Sequence, residues 1–161
     1  MTERPKSTDN LDATAGFQPE DPLTAFFGAP ISVYTRQQAI DDGVLVDVSD
    51  WAGPGPNGMM GGFRVPVVFT RALFELVDLD NAPDEPWARL ARRRGESTRG
   101  RAHDVLWMAA LWARRSAELD RFGFVVLITK ANARARFVQS RVTLEARIDG
   151  DGVVIGFPED F

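Results

Sequence analysis

The chain has no cysteine. Disulfides, thiolate nucleophiles and cysteine-based zinc sites are therefore excluded. It has a single histidine, His103, so paired-histidine metal sites of the HExxH kind cannot be built. No apolar run approaches the roughly 20 residues that cross a bilayer; the segment to note, Val105 to Ala113, has nine. The N-terminus is polar and no apolar stretch follows its first charges, so no secretory signal is read and a cytoplasmic protein without membrane attachment is expected. A Gly-x-Ser-x-Gly elbow is missing, and Asp104 directly after His103 would point about 100° away on a helix. The Gly/Pro-rich run Gly53–Gly62 lacks the Lys of a phosphate-binding loop and does not open a helix. It reads as a loop or hairpin, whose Met59 and Met60 could give an adaptable contact surface.

What is present suits one globular domain. A length of 161 residues, 44% hydrophobic and 26% charged, with 11 Phe and 4 Trp, allows a sizeable core. The net charge of −4 is unevenly spread. Residues 1–60 carry nine acids against three bases, and residues 130–147 carry five bases against Glu145 alone. Such asymmetry marks either an interaction face or a solvated surface.

Residues 1–21 are rich in Pro, Glu, Asp, Ser and Thr and read as a disordered tail. Residues 22–161 read as a single α+β domain. Leu23–Phe27 suits a short helical turn and Ile31–Tyr34 a short strand. Thr35 with Gln38 makes a capping box for a helix over Arg36–Asp41, stopped by Gly43. Val44–Val48 is a β-branched strand, and Val65–Phe69 another. Thr70 caps a helix over Arg71–Asp78, and Trp87–Arg94 is helical up to Gly95. Asp104–Arg115 is a helix with apolar residues on nearly every side, its arc set by Val105, Trp107, Met108, Leu111 and Trp112. Phe122–Thr129 is a strand, Ala131–Ala135 a turn, and Phe137–Ile148 a long strand of alternating apolar and charged residues. Asp149-Gly-Asp-Gly is a hairpin turn, and Val153–Phe157 returns. The expected fold is an antiparallel sheet with a C-terminal three-strand meander packed on the central helix.

Two candidate surfaces emerge. Tyr34, Arg36, Asp47, Asp104 and Trp107 are polar or amphipathic side chains suited to binding. Asp104 and Arg115 both fall inside the helix's apolar arc, either as complements to its dipole or as members of a site. The second surface is the basic cluster Arg89, Arg92, Arg93, Arg94, Arg99 and Arg101, which suits phosphate groups. Asp84, Glu85 and Glu96 dilute it, and nucleic-acid binders are usually basic as whole domains. Asp41, Asp42, Asp47, Asp50 and Asp104 are carboxylates that an enzyme could use, but no spacing selects a pair. No cofactor, metal or catalytic residue is assigned.

Several blocks carry a resemblance. Ile31-Ser-Val-Tyr-Thr-Arg-Gln-Gln-Ala-Ile-Asp-Asp-Gly-Val-Leu-Val-Asp-Val resembles the opening of a family of small uncharacterised proteins encoded on bacterial plasmids and phages. Phe63-Arg-Val-Pro-Val-Val-Phe-Thr-Arg-Ala-Leu and His103-Asp-Val-Leu-Trp-Met-Ala look like its later blocks. Thr143-Leu-Glu-Ala and Val153-Val-Ile look like its closing hairpin. Ala102-His103 departs from it where an aromatic is expected, and the Gly/Pro loop is longer. The resemblance implies an accessory gene of a mobile element, with no activity to carry over. The expected function is non-catalytic binding of a host protein that modulates host defence, with self-association also open. The alternatives are nucleic-acid association through the Arg cluster and a small carboxylate-dependent enzyme.

Overall fold

A computed structural model describes residues 34–56, 58, 62–82, 85–131 and 137–161, the ends of the 131–137 gap by backbone alone. The expected tail, the turn at 23–27 and most of the strand at 31–34 lie outside the described residues. So do the turn at 132–135 and the Met59–Met60 pair.

The compact unit spans Tyr34–Phe161. Its elements are α1 (Arg36–Asp41), β1 (Leu45–Asp47), α2 (Ser49–Ala52), β2 (Val67–Thr70), α3 (Arg71–Val77), α4 (Pro86–Arg93), α5 (Thr98–Arg115), β3 (Arg121–Ala131), β4 (Phe137–Asp149) and β5 (Gly152–Gly156). A 3-10 turn over Pro158–Asp160 follows. The fold is α+β. The strands form one five-stranded sheet in the order β1-β2-β5-β4-β3.

Local chemistry sets most boundaries. Thr35 Oγ1 accepts from Gln38 N at 3.2 Å, and Gln38 Oε1 accepts from Thr35 N at 2.8 Å. This reciprocal cap starts α1, and Gly43, at φ +74°, ends it. Thr70 Oγ1 caps α3. The short helix α2 was not expected; Asp47 Oδ1 accepts from Ser49 N at 2.8 Å and bends the chain into it.

The C-terminal meander holds, with β3–β4 and β4–β5 antiparallel. The sheet as a whole is not antiparallel. β2 runs parallel to β5, with Phe69 opposite Ile155. The chain leaves β2, crosses through three helices and two further strands, and returns as β5, so the two meet in the same direction.

The central helix begins six residues before the expected start, capped by Ser97 Oγ accepting from Gly100 N at 3.1 Å. Its buried face is Thr98, Arg101, Ala102, Val105, Leu106, Ala109 and Ala110, a spacing of three and one that follows one helical stripe. The expected arc was rotated away from this. Trp107 is 53% exposed and Leu106 is fully buried. Small Ala102 and Ala109 let the helix backbone approach the sheet, where Phe122, Phe124, Val126 and Leu144 fill the space. Indole rings at those positions would hold it off.

One face of the sheet is thus covered. Val67, Phe69, Val142, Ala146, Val153 and Ile155 complete the core beneath α3 and α5. On the other face Asp160 accepts from Thr70 Oγ1 at 2.5 Å and from Phe157 N at 3.0 Å, folding the C-terminal turn over β2 and β5. Ile148, expected inside, is 39% exposed because it lies next to the hairpin turn, beyond the helices.

Candidate functional site

The residues picked from the sequence fall at separate places. Tyr34 Oη donates to Asp42 Oδ2 at 2.9 Å on the surface. That hydrogen bond raises the phenol above its ordinary pKa, with burial and the Asp42 charge adding to it. Arg36 reaches across to the β4–β5 hairpin, where its Nη2 donates to Asp149 Oδ1 at 2.6 Å. Asp47 is spent on the α2 bend. Asp104 pairs with neighbouring His103 at 3.4 Å, and His103 stacks on Trp107 at 6.2 Å between centroids. Asp104 therefore meets neither Arg36 nor Tyr34.

The Arg36 pair orders the hairpin. Desolvation pushes the Asp149 carboxyl up, but the N–H groups of Asp151 and Gly152 together with Arg36 outweigh it and hold its pKa below the ordinary 3.8. A depressed carboxylate contributes stability that is full above the unfolded value and lost as pH falls through the folded one. The urea midpoint is expected to drop as pH is taken below 3.8, and Asp149→Asn to remove part of that slope. An identical slope in the variant would assign the acid sensitivity to other carboxylates.

The Arg cluster is divided by burial. Arg101 is 3% exposed. Its Nε donates to Glu96 Oε2 at 2.9 Å, Nη1 to the Leu76 carbonyl at 2.6 Å, and Nη2 to the Thr129 carbonyl at 2.8 Å. Trp87 lies against the guanidinium, 5.3 Å from its ring centroid. Glu96 also accepts from Thr129 Oγ1. Desolvation lowers the Arg101 pKa, and Glu96 opposes it. This residue ties α5 to β3 and is removed from any nucleic-acid face. Arg92 Nη1 donates to the Leu79 carbonyl. Arg93, Arg94 and Arg99 remain on the surface.

Of the surface hollows, two have the most apolar lining. One, of about 520 Å³, lies between α3 and the C-terminal turn, lined by Leu45, Arg71, Val154 and Phe161 among others. Its charged groups, Glu75 apart, serve the fold. Arg71 donates to the Gly43 carbonyl at 2.7 Å, Arg147 pairs with Glu145 at 2.7 Å beneath Phe161, and its carboxylates Asp149 and Asp160 are bonded to Arg36 and Thr70. Among the described residues no group of three or more His, Asp or Glu is arranged to hold a metal ion.

The other hollow runs along β3, the outer strand of the sheet. A groove of about 830 Å³ is lined by Met108, Trp112, Val125, Leu127 and Arg141. A second of about 440 Å³ shares Met108, Val125 and Leu127 with it and adds Asp104, Trp107 and Gln139. The two make one apolar channel, with the Trp flank of α5 as a wall. Asp104 and Trp107, chosen from the sequence, line it; Trp112, Val125 and Leu127 were missed. The signal for the last two lay in β3 itself, where apolar side chains occupy both alternating faces from Phe124 to Ile128. Leu127 is 53% exposed. Apolar surface gathered in this way marks contact sites more often than single exposed side chains do.

No helix among the described residues is long and apolar enough to cross a membrane. No curated protein and no solved structure matches the chain. Residues 23–144 match the model of a family of unknown function, DUF6573, and the chain belongs to that family.

Proposed function

We propose that this protein is a non-catalytic binding protein, the product of an accessory gene of a plasmid or phage, and that it acts on a host protein. The observation that supports binding is the apolar channel along β3, with Trp107, Trp112, Val125 and Leu127 exposed around it. Aromatic and aliphatic side chains collected at a concave edge suit contact with another polypeptide. Tyr34, Arg36 and Asp47, the polar candidates away from the channel, are meanwhile engaged in a surface hydrogen bond, an ion pair and a turn. The resemblance of the blocks at Ile31, Phe63 and His103 supports the mobile-element setting, and modulation of host defence is the role that setting suggests.

The test is affinity capture of bacterial host proteins on the tagged full-length chain, with a salt titration of DNA and RNA binding beside it. One discrete protein retained in stoichiometric amount, and no nucleic acid retained at low salt, is the expected result. Binding of DNA or RNA that weakens linearly with log salt, without a captured protein, would transfer the function to Arg93, Arg94 and Arg99.

A further inference from the structure

We propose that the β3 edge is the seam of a symmetric dimer, in which two copies of this chain pair β3 antiparallel to β3 about Val126 and join their sheets. The inference rests on reading the β3 channel as a protein-contact surface, and it names the first occupant of that surface. β3 is 11 residues long and, among the described residues, pairs only with β4. Its outward backbone groups are those of the odd-numbered residues, since Ile148 N donates to the Asp120 carbonyl and the even-numbered ones follow that pairing to β4. Arg101 Nη2 already takes the Thr129 carbonyl, and the groups from Arg121 to Leu127 form a row that another strand can complete.

The sequence of β3 is complementary to itself in one register. Face alternation requires residues of like parity to pair, since a slip by one residue would turn core side chains outward. Pairing centred on Val126 leaves the Thr129 carbonyl on Arg101 and joins the strands mainly through the outward groups of Val125 and Leu127. It sets Val125 opposite Leu127 on the open face and Phe124 opposite Ile128 on the core face. Arg121 then faces Ala131, and Lys130 faces Phe122, so no like charges stand opposite each other.

The helix layer fits the same axis. Arg101 is bonded to Thr129, while Trp112 lines a groove with Gly123 and Phe124, so α5 runs antiparallel to β3 along it. Trp107 shares a groove with Val126. A two-fold axis through Val126 therefore brings the two α5 helices side by side on one surface of the joined sheet, the Trp107 rings nearest the axis. Asp104 and Arg115 lie 11 positions apart, close to three helical turns, and so on the same flank as Trp107. Arg115 folds back over Trp112, 5.8 Å from its ring centroid. The seam thus matches apolar to apolar at its centre.

Sedimentation equilibrium of the full-length chain, over about 1 to 200 µM, decides the matter. The expected species has twice the 17.8 kDa monomer mass. Leu127→Lys and Trp107→Lys, both at exposed positions, are expected to weaken dimerisation at least about tenfold while leaving the urea midpoint of the monomer unchanged. A 17.8 kDa particle throughout overturns the proposal, and so does a dimer indifferent to both variants. A monomer that still captures a host protein would end the seam and leave the binding reading standing. A dimer that captures nothing would do the reverse.

Discussion

Glu96→Ala is expected to destabilise the domain by about 3 kcal/mol. The Arg101 guanidinium is buried, and Glu96 is its one carboxylate partner among the described residues. Removing that partner leaves a cation in the interior with two backbone carbonyls, of Leu76 and Thr129, and no counter-charge. It also strips Thr129 Oγ1 of its acceptor. The penalty is the desolvation of an uncompensated charge, which exceeds what the pair itself contributes. Glu96 retains 25% side-chain exposure, so water can enter the space, and the expected value sits at the low end of the usual 3–5 kcal/mol. Glu96→Gln, which keeps an acceptor at the same place, should cost less. Urea unfolding of both variants checks this. A Glu96→Ala loss below about 1 kcal/mol would show the guanidinium to be hydrated in the native state.

Gly152→Ala is the second large effect, expected at about 2–4 kcal/mol. Gly152 follows the two-residue turn between β4 and β5 at φ +132°, where only glycine is at ease. A Cβ there would lie 2.2 Å from the Pro66 carbonyl oxygen. That oxygen also accepts from Val153 N at 2.9 Å, so moving it aside breaks the bond by which β5 is joined to the start of β2. Strain and a lost hydrogen bond therefore act together. Gly150, in the same turn, has open space around it. Gly150→Ala should stay within about 0.5 kcal/mol, and equal losses at 150 and 152 would refute the steric argument. Thermal unfolding of the two variants gives the comparison.

The fold was readable from the sequence wherever its determinants are local. The capping box at Thr35 and Gln38, the Thr70 cap, the turn at Asp149–Gly152 and the alternation along β4 all lie within a few residues of what they specify. What was hidden depends on partners far along the chain. The first turns of α5 contain Gly100 and four charged or polar side chains and carry no apolar period. Their place in the helix follows from Arg101 finding Glu96, Leu76 and Thr129, none of which spacing can announce. The same holds for β2, whose four residues choose a parallel neighbour 86 positions away. The rotation of α5 differs from the arc expected because Trp outweighs Ala in any hydrophobic arc, whereas close packing against a sheet favours Ala. Of the candidate site, Asp104 and Trp107 were legible as amphipathic residues on one flank. Val125 and Leu127 were not, because a strand apolar on both faces reads as interior until its place at the rim of the sheet is known.

The two rims of the sheet are unlike. At β1 the strand has three residues before Asp47 turns the chain into α2, while β3 at the opposite rim has 11. A rim of three residues templates almost nothing. Association through β3 alone consumes the long rim in a single isologous contact and presents only short rims at both outer ends. Such an assembly is closed by symmetry at two members, and among the described residues neither outer rim offers a long strand for a third copy to extend.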